Sequence, residues 1–269
     1  MADYDLKGMQ AVSKYQLGIT IDTVFLDDDW VKFRSEAREI CDHFLTLATA
    51  SLLADMKISF FFQNLCRSAE NWRYFLVSAR DHYHQQITLN YNAPLYAAII
   101  ADNTRIIQGI VDALPVSFLK GEEYEDRFIT CKLHALLAIS RCTLNDEIKS
   151  LLGVLVNAEK ESFNSILFKA LLGLDELGEA EFWEQFETAL YAYEELVESK
   201  KAAITVKISE FIAHRYIWFE GLAWLRLALI KGFTLPSGAI AFCPDEALEK
   251  IPGPYQGEWI LIPLPDTAG

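Results

Sequence analysis

"RYIWFEGLAWLRLALIKG", Arg215 to Gly232, is the most apolar run in the chain, and its length and punctuation decide the fold. Between Phe211 and Ile230 the run carries His214, Arg215, Glu220 and Arg226. A membrane span needs about 20 mostly apolar, uncharged residues, so this stretch reads as a buried helix of a soluble protein. Helical periodicity begins near Ile204, and Gly232 suits a C-terminal glycine cap. Glu220 and Gly221, a charge and a helix weakener, fall in the middle. On a continuous helix Glu220 shares a face with Tyr216, Ile217, Ala223 and Trp224. Tyr216 and Trp224 each carry a polar hydrogen able to satisfy a partly buried carboxylate. Tyr216, Glu220, Gly221 and Trp224 are therefore expected to form a structural motif. Glu220 anchors it, and Gly221 gives a close helix approach or a bend.

The same period recurs upstream. Asp27-Asp28-Asp29 precedes a helical pattern from Trp30 to Ala54, with acidic groups placed to cap its first turn. A second apolar piece, "ISFFFQNL", follows Lys57. Ser68 suits the N-cap of "AENWRYFLVSARDHYHQQI", and Pro94 suits the first turn of "LYAAIIADNTRIIQGIVDAL". Gly121 opens a further helix, Thr143 can cap "LNDEIKSLLGVLVNAE", and "SFNSILFKALLGL" follows. Gly178 then separates off "EAEFWEQFETALYAYEELVESKK". About nine helices with short links, no sustained strand alternation and no fixed-period repeat point to a single all-α domain spanning 1–269. Residues 1–26 read as an irregular N-terminal segment with a short extended piece, 27–232 as the helical body and 233–269 as an extended tail. Six of the eight prolines lie from Pro236 onward. "GEWILIPLPD" suits an edge strand at most, and Trp259, Ile260, Leu261 and Ile262 are expected to pack back on the helices.

With 52% apolar and 13% aromatic residues the chain can bury a large core, which excludes disorder. The net charge of −14 disfavours direct binding to nucleic acid or anionic membrane and favours a basic protein partner. Self-association stays open. The five cysteines, Cys41, Cys66, Cys131, Cys142 and Cys243, form no C-x-x-C pair and read as buried reduced thiols of a cytoplasmic protein. The start "MADYDLKGMQ" lacks the basic and apolar regions of a signal peptide.

No catalytic motif emerges. G-x-x-x-x-G-K-[ST], G-x-G-x-x-G, G-x-S-x-G and H-E-x-x-H are all absent. Glu39/His43, Glu210/His214 and Asp81/His84 are spaced to meet on helix faces, but the Glu-x-x-His pairs of a carboxylate metal site are missing. His82 and His84, two apart, point to different sides of a helix. No catalytic residue, metal ligand or cofactor is assigned, and a binding protein is favoured over an enzyme. A metal-dependent helical enzyme built from these pairs is the alternative, as is a helical scaffold for some other protein partner.

One helix offers a contact surface. In "EAEFWEQFETALYAYEELVESKK" the apolar side is Phe182, Phe186, Ala189, Leu190, Tyr193, Leu196 and Val197. The opposite side gathers Glu181, Glu184, Glu187, Tyr191, Glu194, Glu195 and Glu198, with few lysines until Lys200 and Lys201. These seven are the candidate partner-binding residues, with Tyr191 as an anchor. The cluster Glu122, Glu123, Glu125 and Asp126 either extends the strip or begins a helix.

At "YIWFEGLAWLRLALIKG" the chain resembles the Immunity protein 49 family, which has an aromatic-x-x-Glu-Gly-Leu-Ala-x-Leu-x-Leu-Ala-like segment in a late helix. The matching residues are Glu220, Gly221, Leu222, Ala223, Leu225, Leu227 and Ala228. "ENWRYFLVSARDHYHQQI" is similar to the family's middle portion. The resemblance implies a mostly helical bacterial protein encoded beside a polymorphic or secreted toxin, acting as a cytoplasmic antitoxin that binds and blocks it. It implies no catalytic residues. The charge suits this role, because a nuclease toxin needs a basic surface for phosphates.

Overall fold

The computed structural model describes residues 6–20, 23–26, 29–158, 162–202, 212–250 and 253–265. Its elements are α1 (Leu6–Thr20), α2 (Trp30–Leu53), α3 (Ile58–Asp81), α4 (Ala93–Ile100), α5 (Thr104–Val111), α6 (Glu125–Ile139), α7 (Asp146–Ala158), α8 (Phe163–Leu172), α9 (Glu179–Ala202) and α10 (Phe219–Lys231), with short 3-10 turns at Ala213–Arg215 and Asp245–Leu248. The described residues contain no strand, only two isolated bridges, so the fold is all-α. No helix among them is long and apolar enough to cross a membrane.

The architecture is built on the hairpin of α2 and α3. Asp29 caps α2 by accepting from the Val31 amide at 2.9 Å, as its position before an apolar pattern demands. Residues 27 and 28 of the acidic triplet lie outside the described residues. The two 24-residue helices bury Phe33, Ile40, Phe44, Phe61, Leu65, Trp72 and Phe75 against each other and their neighbours. Ser68 is not an N-cap. Its hydroxyl donates to the Cys41 carbonyl at 3.0 Å, and the Cys41 thiol donates to the Ser68 carbonyl at 3.4 Å. These two bonds tie the helices together at Cys41 and Ser68, and α3 runs unbroken through Ser68.

Several other boundaries differ from expectation. Residues Leu6–Thr20, expected to be irregular, form α1, which buries Met9, Ser13 and Leu17. The expected helix from Leu95 to Leu114 breaks after Ile100. Asp102 takes φ 44°, a left-handed conformation that Asp tolerates, and Asn103 caps α5 through the Ile106 amide at 3.2 Å. Asn145 caps α7, accepting from Ile148 at 2.8 Å, in place of Thr143. Gly121, with φ 91°, turns the chain ahead of α6, which starts only at Glu125. Ser162 and Gly173 close the two ends of α8 as their types suggest.

The pattern read from Ile204 to Gly232 is not one helix. Positions 203–211 lie outside the described residues, and Ala213–Arg215 is a 3-10 turn. Only Phe219–Lys231 is α-helical, ending at Gly232 with φ 95°. Arg226 of this helix ties three pieces together. It donates to the carbonyls of Ile100 at 3.0 Å and Leu248 at 3.1 Å, satisfying helix-end groups that would otherwise be orphaned.

The tail packs back on α3, as its apolar residues require. Gln63, Asn71 and Ser78 donate to the carbonyls of Pro254, Trp259 and Pro263. Ile262 is buried, whereas Trp259 stays half-exposed against expectation. One contiguous apolar cluster runs from Leu17 to Ile262. It includes all five cysteines, which are free thiols, and burial pushes Cys66 and Cys131 up to about 12. These thiols carry no reactive thiolate at neutral pH.

Candidate functional site

The candidate surface is the outer face of α9. At its start the Glu181 carboxylate folds back to accept from the Gly178 amide at 2.9 Å, the second half of a capping box. This contact holds the Glu181 carboxyl below its usual range, so Glu181 serves the helix end rather than a partner. Phe182, Phe186, Ala189 and Val197 are buried and fix the rotation of the helix. That rotation turns Glu184, Glu187, Tyr191, Glu195 and Glu198 outward into solvent, with Glu194 at the edge. Leu196 departs from the expected apolar side and is 45% exposed.

On this face the Tyr191 hydroxyl donates to Glu187 at 3.1 Å while the ring stays 59% exposed. The neighbouring carboxylate raises the phenol's pKa, so Tyr191 presents a neutral aromatic plate among charges. Among the described residues Glu184, Glu187, Glu194 and Glu195 form no ion pair. These four like charges project a negative potential that attracts a cationic partner.

The second acidic cluster does not extend the strip. Glu123 is buried and accepts from the amides of Leu89 at 2.7 Å and Leu119 at 2.9 Å, clamping two loops together. Glu125 and Asp126 occupy the first turn of α6.

Glu220 and Gly221 do not sit in mid-helix. Trp218 is the N-cap position of α10, so the pair lies in its first turn. A carboxylate in a first turn suits the positive end of the helix dipole. The side-chain partners of Glu220 are Tyr96 of α4, which donates a hydrogen bond, and the Arg127 charge from α6. Tyr216 lies ahead of the helix, and the Trp224 indole N–H has no hydrogen-bond partner, so Trp224 does not satisfy Glu220. Burial raises the Glu220 pKa, opposed by Arg127 and Tyr96. The groups beside Glu220 are thus Tyr96 and Arg127 rather than the expected Trp224.

Gly221 has a sharper role. A Cβ at this position would lie 2.1 Å from Cε3 and 2.3 Å from Cδ2 of the Trp218 ring. The indole folds over its own helix start and stacks on Tyr193 at 5.2 Å between centroids. Gly221→Ala should lower stability by about 1–3 kcal/mol, a Tm fall of roughly 3–10 °C, because a rigid ring must move from a packed site. Calorimetry checks this. An unchanged Tm would mean that the indole shifts freely.

Of the histidine pairs, Glu39 and His43 do not converge, and Glu210 of the Glu210/His214 pair lies outside the described residues. His43 is buried with Nδ1 3.2 Å from the Ser13 hydroxyl, while Glu39 faces solvent. His84 lies beyond the end of α3 with φ 52°. No group of three or more His, Cys, Asp or Glu side chains among the described residues is arranged to hold a metal.

Sequence reasoning missed a polar recess of about 370 Å³ beneath the C-terminal half of α9. In it Tyr91 donates to Asp42 at 2.7 Å, and the Arg38 guanidinium lies 5.4 Å from the Tyr91 ring centre. Tyr193 closes the recess by donating to the carbonyls of His214 and Ile217. The i, i+4 spacing of Arg38 and Asp42 was visible, but Tyr91 reaches them from a loop. The recess lies between α9, the turn at His214 and Arg38 and Asp42 of α2.

Comparison with protein-family models, with curated proteins and with solved structures finds no match to this chain.

Proposed function

We propose that this chain is an immunity protein, a cytoplasmic antitoxin that binds a cognate bacterial toxin and blocks its basic surface. The observation that carries the reading is the outer face of α9. Four glutamates without internal ion pairs flank an exposed tyrosine on a helix held rigid by its buried side. Such a face suits steered association with a cationic, phosphate-handling surface, with Tyr191 as the desolvated anchor. The segment around Glu220 and Gly221 that resembles the Immunity protein 49 family adds support from sequence. A nucleic-acid-targeting toxin is the partner class that best meets these charges.

Co-expression tests the proposal. A toxin encoded beside this chain should halt growth alone and be tolerated with the chain present. If every neighbouring gene product stays equally harmful, the proposal fails. With a complex in hand, reversing Glu184, Glu187, Glu194 and Glu195 to Lys should slow association by at least about tenfold at low salt and flatten its ionic-strength dependence. The Tm should change little, since these residues lie on an outer helix face. Stopped-flow rates equal to wild type would move the contact to another surface.

A further inference from the structure

A second recess lies away from α9. Helices α1 and α3 both pack on α2 and leave a trench between them, about 600 Å³ in volume. This falls within the range of about 300–1,000 Å³ typical of small-molecule sites. Its apolar lining includes Leu17, Phe44 and Leu47. Phe60 and Trp259, each 51% exposed, stand at its edges. Large aromatics left this open are unusual in a chain that buries most of its other rings.

The rim is cationic, which is unexpected in a chain of net charge −14. It carries Lys14, Lys57 and Arg67 against Asp55. Arg67 is already engaged, by Glu258 at 3.3 Å and Asn64 at 2.9 Å, and Asp55 accepts from Gln10 at 2.8 Å. Lys14 and Lys57 have no ion pair among the described residues. The Lys57 ammonium instead lies 5.6 Å from the Phe60 ring centre. Two cations without an ion pair, against the single carboxylate of Asp55, leave the rim net positive beside an apolar floor, which matches a ligand with an apolar body and one anionic head.

We propose that this trench binds a small amphipathic anion, a medium-chain carboxylate, with its chain along Leu17, Phe44 and Leu47 and its head paired by Lys14 and Lys57. No trench residue belongs to α9, so the proposal stands or falls apart from toxin binding.

The test is calorimetric titration of the full chain with decanoate, decanol and decyltrimethylammonium. Decanoate should bind saturably at one site, at least about tenfold tighter than the cationic analogue. Lys14→Glu with Lys57→Glu should weaken decanoate by about tenfold or more at unchanged Tm, since both side chains are exposed. Gly18→Phe is a second, independent variant. Gly18 lines the trench, and a Cβ there meets nothing within 4 Å, so a side chain can start from this position without a backbone clash and compete for the trench. It should abolish decanoate binding while Tm holds or rises. No saturable binding up to about 1 mM decanoate, equal binding of the cation, or wild-type affinity in both folded variants would overturn the proposal.

Discussion

Acidification from pH 7 to pH 4 is expected to remove about 3 kcal/mol of folding stability through His134 alone. Its imidazole is wholly buried between the rings of Tyr96, Phe168 and Trp224, the last only 4.2 Å away between centroids. Nδ1 contacts the Thr130 carbonyl at 2.9 Å, and Nε2 has no hydrogen-bond partner. Nothing there stabilises a second proton, so desolvation lowers the pKa from 6.5 to about 4. The unfolded imidazole binds its proton near 6.5, whereas the folded one resists it. The contribution is therefore complete above pH 6.5 and lost as pH falls toward 4. Urea unfolding of wild type and His134→Leu at pH 7, 5.5 and 4 isolates it. Leu fits the apolar cage and cannot titrate, so the variant should lose about 3 kcal/mol less than wild type over this range. Identical pH profiles would place the acid sensitivity elsewhere, with His214, also lowered to about 4, as the next group to test.

The contrast between Ser68 and Glu184 shows what the sequence could and could not reveal. Helical period and end chemistry are local, so the all-α class, the cap at Asp29, the ends of α8 and the glycine stop at Gly232 were all readable. The outward stripe around Glu184 was readable for the same reason, since a 3.6-residue period assigns its own faces. Ser68 has the chemistry of a cap, yet its hydroxyl is used across a helix pair by the Cys41 carbonyl. Glu181 and Glu123 have the chemistry of a charged surface, yet backbone amides consume both carboxylates. Only tertiary position separates these roles. Trp218 is the clearest case. Its ring over Gly221 starts α10 where apolar periodicity alone had carried one helix back to Ile204. The carboxylate trench was invisible for a related reason, because its lining comes from three helices, a link and the distant Trp259.

Asn71→Ala should cost about 2–4 kcal/mol and free the C-terminal tail from α3. Asn71 is fully buried and treats the tail as a strand would. Its Oδ1 accepts from the amides of Leu261 at 2.7 Å and Ile262 at 3.2 Å, and its Nδ2 donates to the Trp259 carbonyl at 2.9 Å. A single amide side chain thus replaces the sheet partner that a proline-rich segment cannot recruit. Alanine would leave these groups unpaired, the Ile262 amide in a buried site, and each orphaned group costs about 1–3 kcal/mol. The structure then has two ways to relax: water enters, or the tail leaves. Departure exposes Ile262 and the apolar face of α3, so the tail should become cleavable by chymotrypsin at Trp259 under conditions where wild type resists. Asn71→Asp separates the contributions. It keeps both acceptor contacts but loses the donor to Trp259 and buries a charge, so its loss should match or exceed that of alanine at pH 7 and shrink as the carboxyl protonates. Unchanged protease resistance in Asn71→Ala would show that the burial of Ile262 and the contacts of Gln63, Arg67 and Ser78 hold the tail without Asn71.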